Sequence, residues 1–370
     1  MRVKFIDWFA GIGGFRRGME LAGHECVGFC EFDKFATASY ISMHLLTDEQ
    51  RKRLDELPQK KRQKEILNDE YRNGEWYAND VRRVCADDIP KADCWCFGFP
   101  CQDISVAGKQ LGFQGNRSSL FFRVMYLIGQ LKEEDKPTYL FIENVKNLLS
   151  VNGGWDFARL LIEMEQGGYD AEWQVLNSKD FGVPQNRERC FIIGHLRSRG
   201  STEVFPAERA DREDSIQIIG HRDGYRRNTQ VFSQEGITEA LDTAAGGGRG
   251  HHVAMPCFRD LSYQKSELTN KARGRVGRDV ANTLDTSCNQ GIFVQVSEEL
   301  TVYAVWYEKY QCYIAIRRLT PKECFRLQGW TDDYFEKAAF VNSDSQLYKQ
   351  AGNGVTVNVI EAIAEKIRFA

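Results

Sequence analysis

No apolar run in this 370-residue sequence approaches the ~20 residues of a helical membrane span, which sets aside that class. Nor is there an excess of positive charge: 49 Lys and Arg face 52 Asp and Glu, for a net charge of −3. If such a chain binds nucleic acid, it must gather its cations on one face. Proline is scarce, at 8 residues, and the ordinary apolar and charged fractions (42% and 27%) argue against a fibre or a disordered chain. A disulfide framework is missing as well. The 11 Cys are odd in number and thinly spread, whereas secreted scaffolds are short and dense in Cys. They read as reduced thiols, most of them small buried hydrophobes. The opening MRVKFIDWFAGIGG carries Asp7 inside its first apolar stretch and has no polar spacer or cleavage site. A signal peptide is therefore not expected, and a cytoplasmic protein is.

What is present alternates. VKFIDWF is a strand, AGIGG a glycine turn, FRRGMELAG a helix closed by Gly23, and HECVGFCEFD a second strand ending in acids. This βαβ opening predicts a mostly parallel, doubly wound sheet. Four further strands (ADCWCFGFP, PTYLFIENV, AEWQVLNSKDFG, RCFIIGHL) follow, with the amphipathic helices SSLFFRVMYLIGQL and WDFARLLIEMEQGGY among them. Residues 45–75 are highly charged and read as a solvated helical insertion broken at Pro58; the alternative is a basic arm built from Lys60, Lys61, Arg62 and Lys64. Beyond residue 196 the texture becomes rich in Gly, Arg, Thr and Asn. Across 221–278, ten Lys and Arg oppose six acids, a local excess of +4. EALDTAAGGGRGHHV (239–253) and ANTLDTSCNQGIFV (281–294) echo one another, either as two similar turn elements of a small β-rich domain or by chance. α/β character then returns. RRLTPKECFRLQGW predicts a helix capped by Thr320, with Pro321 first and Glu323 three residues after the cap, and QAGNGVTVNVIEAIAEKIRF a Gly-Asn turn feeding a long helix.

Five motifs carry chemistry. FAGIGG (9–14) meets a helix start, where backbone N–H groups can approach a ligand once side chains are absent. A dinucleotide fingerprint would want a third glycine at position 16, but Arg16 stands there. In CEFD, Glu31 lies about 20 residues beyond the glycines, where an acid commonly binds ribose hydroxyls. Asp80 ends another candidate strand. Together these suggest a site for an adenosine-containing cofactor such as S-adenosylmethionine, although each alone could be a plain turn or a solvated loop acid. GFPCQDIS (98–105) presents Cys101 after a proline-fixed turn, where a thiolate favoured by nearby donors is nucleophilic. The alternatives are an inert thiol or a metal site with Cys94 and Cys96; those two share one strand face, as core residues would. In ENV (143–145), Glu143 ends a parallel strand, where a partly desolvated carboxyl can hold a proton. Arg187 and Arg189, two apart before a strand, are expected to face the same way and offer forked donors to oxygen.

In their order, FAGIGGF, a strand-end acid, GFPCQ, ENV, QxRxR, RxLTxxExxRLQG and AGNxV resemble the DNA cytosine-5 methyltransferases, over residues 3–33, 78–196 and 316–364. The resemblance implies a Rossmann-like, S-adenosylmethionine-dependent methyltransferase fold. Residues 1–196 would form the catalytic domain, 197–328 a smaller target-recognition domain, and 329–370 a return to the catalytic domain. It implies that Cys101 attacks C6 of a flipped-out cytosine, Glu143 engages ring N3, and Arg189, with Arg187 nearby, holds the carbonyl. Phe9, Gly11, Ile12, Gly14, Glu31, Phe32, Asp80, Val81, Pro100, Leu120, Asn353 and Val355 would line the cofactor site. Gln102, Ser105, Lys109, Arg117, Arg249, Arg273 and Arg275 would meet double-stranded DNA. No metal is implied. The expected protein is a bacterial or phage restriction–modification enzyme, a monomer forming no stable complex with any cognate endonuclease. Trp8 departs from the usual aliphatic residue and should point away from the cofactor; Asn79 stands where Gly is common. A tRNA cytosine methyltransferase, a non-catalytic DNA-binding protein and a nicotinamide enzyme are the alternatives.

Overall fold

The computed structural model describes residues 2–99, 119–206 and 319–368, together with the backbone of strands between 218 and 318. The chain divides into two compact units, one of residues 1–213, 239–245 and 321–370, the other of 214–238 and 246–320.

The first unit is built on a seven-stranded sheet. In chain order its strands are β1 (Lys4–Trp8), β2 (Glu25–Cys30), β3 (Trp76–Ala78), β4 (Cys94–Phe97), β5 (Tyr139–Val145), β6 (Tyr169–Asn177) and, after the two-residue β7 (Gln185–Asn186), β8 (Glu188–Leu196). They lie side by side as β3-β2-β1-β4-β5-β8-β6. The pairings from β3 to β5 are parallel, and β8 runs antiparallel to both β5 and β6. Strand β3 has only three residues, too few for a periodic signal, and sequence reading found only the acid beyond its end.

Both faces of the central strands are covered, so they read as unbroken apolar runs. Alternation still sorts them. Phe5, Cys94, Cys96, Tyr139 and Phe141 join one core layer with Phe15 and Met19 of α1 (Gly14–Leu21) and Ile360 and Ile363 of α10 (Val357–Ala364). Ile6, Trp8, Trp95, Phe97, Leu140 and Ile142 join the other, with Phe121 and Ile128 of α5 (Ser119–Gln130) and Leu160 and Met164 of α6 (Trp155–Gln166). Each such large side chain, fully withdrawn from water, contributes about 1.5–3 kcal/mol. Trp8 points into this second layer, with its ring 4.9 Å from Trp95 and 5.7 Å from Trp76. Helix α1 ends where expected, with Gly23 left-handed at φ 90°. It can approach α10 closely because residue 18 is glycine: a Cβ there would lie 2.6 Å from Ile360.

The charged insertion is helical and breaks at Pro58. Helix α3 (Asp48–Asp55) opens with a Thr47–Gln50 capping box, and α4 (Gln59–Glu65) starts directly after the proline. Leu54, Ile66 and Tyr71 turn inward and pack with Phe29 and Tyr40, the latter on α2 (Lys34–His44). Arg62 is not part of a free basic arm, since its guanidinium donates to the carbonyls of Leu54, Leu57 and Phe340.

Helix α7 (Pro321–Leu327) begins at the anticipated proline. Two helices that sequence reading did not separate follow, α8 (Asp332–Ala339) and α9 (Asp344–Asn353). Gly352 and Asn353 close α9, and α10 has only 8 residues, so the expected long helix is shorter than its apolar stretch suggested.

The second unit contains β9 (Ile218–His221), β10 (Gln230–Phe232), β12 (His252–Pro256), β13 (Tyr303–Tyr307) and β14 (Cys312–Arg318); a two-residue strand, β11 (Thr238–Glu239), precedes β12. The five form a sheet ordered β13-β14-β12-β10-β9, antiparallel except between β10 and β12. The second copy of the sequence echo, 281–294, lies outside the described residues.

Candidate active site

The strand order reverses between β1 and β4, which run side by side in parallel. In open α/β sheets the crevice at that reversal, beyond the carboxyl ends of the strands, is where ligands bind. Residues 9–14, Glu31, Asp80, Gly98 and Glu143 all lie at those carboxyl ends.

The glycine turn is left-handed at three places: Phe9 (φ 54°), Gly11 (φ 56°) and Gly13 (φ 86°). For Phe9, which is not a glycine, such a conformation costs of order 1–3 kcal/mol and must be held by its surroundings. The turn is tied down from several sides. Ala10 N–H donates to Cys30 O at 3.0 Å, and Gly11 N–H to Glu31 Oε2 at 2.8 Å. His44 Nε2 donates to Ile12 O at 2.9 Å. Gly14 lies against Val355, where a Cβ would come within 2.6 Å of the valine side chain. The C-terminal segment thus lies against the glycine turn.

Glu31 also accepts from Asp33 N–H at 2.6 Å, and burial raises its carboxyl above the usual range. Phe32, the next residue, is 73% exposed, an unusual position for a phenylalanine. Asp80 is held by a guanidinium fork from Arg82, which keeps its carboxyl below the usual range, and Val81 is buried. Leu120 is partly buried at the start of α5, while Asn353 is exposed at the end of α9.

Arg16 is explained by its partners. The buried guanidinium lies 2.8 Å from Glu20 and 2.7 Å from Glu75, at the end of the insertion, and its backbone N–H donates to the buried carboxyl of Asp7. A residue anchored in this way leaves no room for a third fingerprint glycine.

At β4 and β5, the turn after Phe97 meets Glu143. A Cβ on Gly98 would stand 3.0 Å from Glu143 Oε2, and Asn144 Nδ2 donates to Phe99 O at 3.3 Å. Glu143 is buried, and its Oε1 lies 3.0 Å from Arg189 Nε. The two arginines do not face one group as expected. Arg187 lies between β7 and β8, where strict alternation lapses, and its buried guanidinium donates to Gly354 O at 2.8 Å and Gly352 O at 3.3 Å. Arg189 is the arginine that forms an ion pair with Glu143.

Pro100, Cys101, Gln102, Ser105, Lys109, Arg117, Arg249, Arg273 and Arg275 lie outside the described residues. Cys94 and Cys96 are fully buried with sulfurs 3.7 Å apart, and burial pushes the Cys96 thiol well up. Among the described residues, no cluster of three or more His, Cys, Asp or Glu is arranged to hold a metal, and no helix is long and apolar enough to cross a membrane.

Sequence reading missed His44, Arg82 and Lys349, which forms an ion pair with Asp33 at 2.5 Å beside Phe32. None belongs to a periodic pattern or a motif; their roles come from contacts across the fold.

Residues 3–368 match the family described as C-5 cytosine-specific DNA methylase. The chain belongs to that family. Among its relatives, the type II methyltransferase M.HhaI of Haemophilus parahaemolyticus is 29% identical over 99% of this chain and 94% of its own. M.NlaX of Neisseria lactamica is 30% identical over 99% and 96%. The solved Entamoeba histolytica methyltransferase EhMeth superposes with a TM-score of 0.58 at 16% identity, covering 99% of this chain and 98% of its own. The S. pombe Dnmt2 methyltransferase gives 0.59 at 16%, covering 98% and 97%. At that identity the likeness is one of fold. This methylase transfers a methyl group from S-adenosylmethionine to C5 of cytosine in DNA.

The described residues fit that cofactor. Gly11 has open space where a side chain would be, Phe32 offers an uncovered aromatic face, and Glu31 spends only part of its acceptor capacity on Gly11 and Asp33.

Proposed function

We propose that this methylase works through a covalent adduct at Cys101 on a cytosine turned out of double-stranded DNA. The target must leave the stack because C6 is unreachable within it. The Cys101 thiolate forms a bond to C6, and the electron pair of the C5–C6 double bond shifts towards C5. Glu143 engages N3, by hydrogen bond or proton, and Arg189 holds the carbonyl oxygen. When bound, S-adenosylmethionine supplies an electrophilic methyl group at its sulfonium. Loss of the C5 proton and departure of Cys101 as thiolate then restore the ring. Phe9, Gly11, Ile12, Gly14, Glu31, Phe32, Asp80, Val81, Pro100, Leu120, Asn353 and Val355 hold the cofactor. Arg187 serves on the cofactor side, by fixing the turn that carries Asn353.

The observation that carries this reading is the convergence of Gly98, Glu143 and Arg189 at the carboxyl ends of β4 and β5, beside the strand reversal. Residues 197–328 supply target recognition through the cationic segment that includes Arg249, Arg273 and Arg275, and Gln102, Ser105, Lys109 and Arg117 contact DNA from the segment after Cys101. The enzyme acts as a monomer in the cytoplasm, within a restriction–modification system and without a stable complex with its endonuclease.

An oligonucleotide with 5-fluorocytosine at the target should trap an adduct that survives denaturing electrophoresis, because the fluorine cannot leave as the proton does. The wild-type protein with methyl donor should give the shifted band, and Cys101→Ala should not. A wild-type protein that binds and methylates the normal duplex yet yields no adduct overturns the covalent route.

A further inference from the structure

Asp80 and Arg82 form a unit at the end of β3. Arg82 Nε donates to Asp80 Oδ1 at 2.8 Å, Arg82 Nη2 to Oδ2 at 2.9 Å, and the Arg82 backbone N–H to Oδ1 at 3.0 Å. The carboxylate is mostly covered, with its side chain 11% exposed, while the arginine is 62% exposed. The segment is fixed from below: Val81 is buried, and Arg123 of α5 donates to Val81 O at 3.2 Å and Val84 O at 2.7 Å. The guanidinium carbon lies 5.7 Å from the centre of the exposed Phe32 ring. A paired donor and acceptor thus stand beside a free aromatic face.

A carboxylate has about four lone-pair sites. Oδ1 receives two donors and Oδ2 one, so Oδ2 can accept once more. A guanidinium has five N–H groups, of which this contact uses two, and the remainder stay available on the exposed side. The edge of adenine carries an amino donor next to a ring-nitrogen acceptor, which is the complement of this pair.

We propose that Arg82 is a cofactor-reading residue: locked by Asp80, it donates a hydrogen bond to a ring nitrogen of the adenine of S-adenosylmethionine, while Asp80 accepts from the adjacent amino group. The proposal rests on the assignment of the adenosine site to Phe32, Asp80 and Val81. It adds a residue that the motifs did not mark.

The test is calorimetric binding of S-adenosylhomocysteine and its 1-deaza and 7-deaza analogues, each lacking one ring nitrogen, to wild type, Arg82→Ala and Arg82→Lys. Thermal melting of the exposed-site variants serves as the folding control. Loss of a charge-assisted hydrogen bond predicts about tenfold weaker binding to Arg82→Ala. One deaza analogue should show the same loss on wild type and no further loss on Arg82→Ala, the signature of a direct contact. Arg82→Lys should not recover, because an ammonium cannot hold both Asp80 oxygens and reach the base. Unchanged affinity in Arg82→Ala, equal affinity of wild type for all three ligands, or full recovery by lysine each overturns the proposal. Failure of the wild type to bind S-adenosylhomocysteine at all would instead count against the cofactor site.

Discussion

Arg189 Nε lies 3.0 Å from Glu143 Oε1, across the antiparallel junction of β5 and β8. The strand that reverses the sheet direction thus delivers the cation to the acid near the end of the last parallel strand. The pair is arranged before any substrate arrives, with side chains only 18% and 12% exposed. Both groups that the cytosine ring would meet are therefore held in place by sheet registry rather than by a loop.

Glu143→Gln should keep the shape of the site and lose the ionisable acid. Methyl transfer should fall by about 10²–10⁴-fold, the usual contribution of a positioned acid or base. Single-turnover transfer of labelled methyl to duplex DNA measures it, and gel-shift affinity for DNA should change little. A rate within threefold or so of wild type would remove Glu143 from the chemistry.

Phe32→Ala tests the uncovered aromatic face. Phe32 is 73% exposed and contributes little to the core, so the melting temperature should hold. Loss of its ring contact with adenine should weaken S-adenosylhomocysteine binding about tenfold, in keeping with aromatic contacts of 0.5–1.5 kcal/mol plus lost burial. Calorimetry decides.

Two glycines should respond oppositely to alanine. At Gly18 the new Cβ would stand 2.6 Å from Ile360, so Gly18→Ala should destabilise by about 1–3 kcal/mol. At Gly129, exposed near the end of α5, it would meet nothing within 4 Å, and Gly129→Ala should stabilise by up to about 1 kcal/mol. Urea unfolding of both variants gives the two signs in one experiment.

His44 makes stability depend on pH. Burial, together with the positive charges of Arg16, Arg17 and Lys337, lowers its imidazole well below the usual 6.5, and Nδ1 has no hydrogen-bond partner among the described residues. Between 6.5 and the folded value the unfolded chain takes up the proton and the folded chain does not, so stability falls on acidification. His24, also lowered by burial, acts in the same sense. Asp7, Glu31 and Glu75 are raised by burial and act in the opposite sense, losing stability as pH rises through their folded values. His44→Asn should therefore flatten the decline in the urea midpoint between about pH 7.5 and pH 5.5. An unchanged slope would mean that the ring takes up its proton as readily in the folded chain as in the unfolded one.

Much of the sheet was legible because its strands are apolar runs bounded by glycine and acids, and α1, α5 and α6 because their apolar spacing is helical and glycines close α1 and α6. The three-residue β3 and the split of the C-terminal segment into α8 and α9 were not legible, since neither carries a strong period. The glycine turn, Glu31 and Glu143 could be read because each occupies a fixed place relative to a strand end. Arg187 and Arg189 look equivalent as a spaced pair, yet Arg187 stands in the gap between β7 and β8 and Arg189 within β8, and they reach different partners. Arg82 and His44 were invisible because their significance lies in what stands opposite them in space.

The close seat of Gly18 on Ile360, and of Gly14 on Val355, has a consequence for biosynthesis. The two halves of the glycine turn's support are translated far apart, with the whole second unit made between them. A ribosome-bound chain that has not yet released α10 can seat the first helix on the sheet, through contacts such as Phe15 with Phe141, but leaves its other side uncovered. The packing that supports the glycine turn from the side of α10 is therefore completed only after synthesis of the second unit.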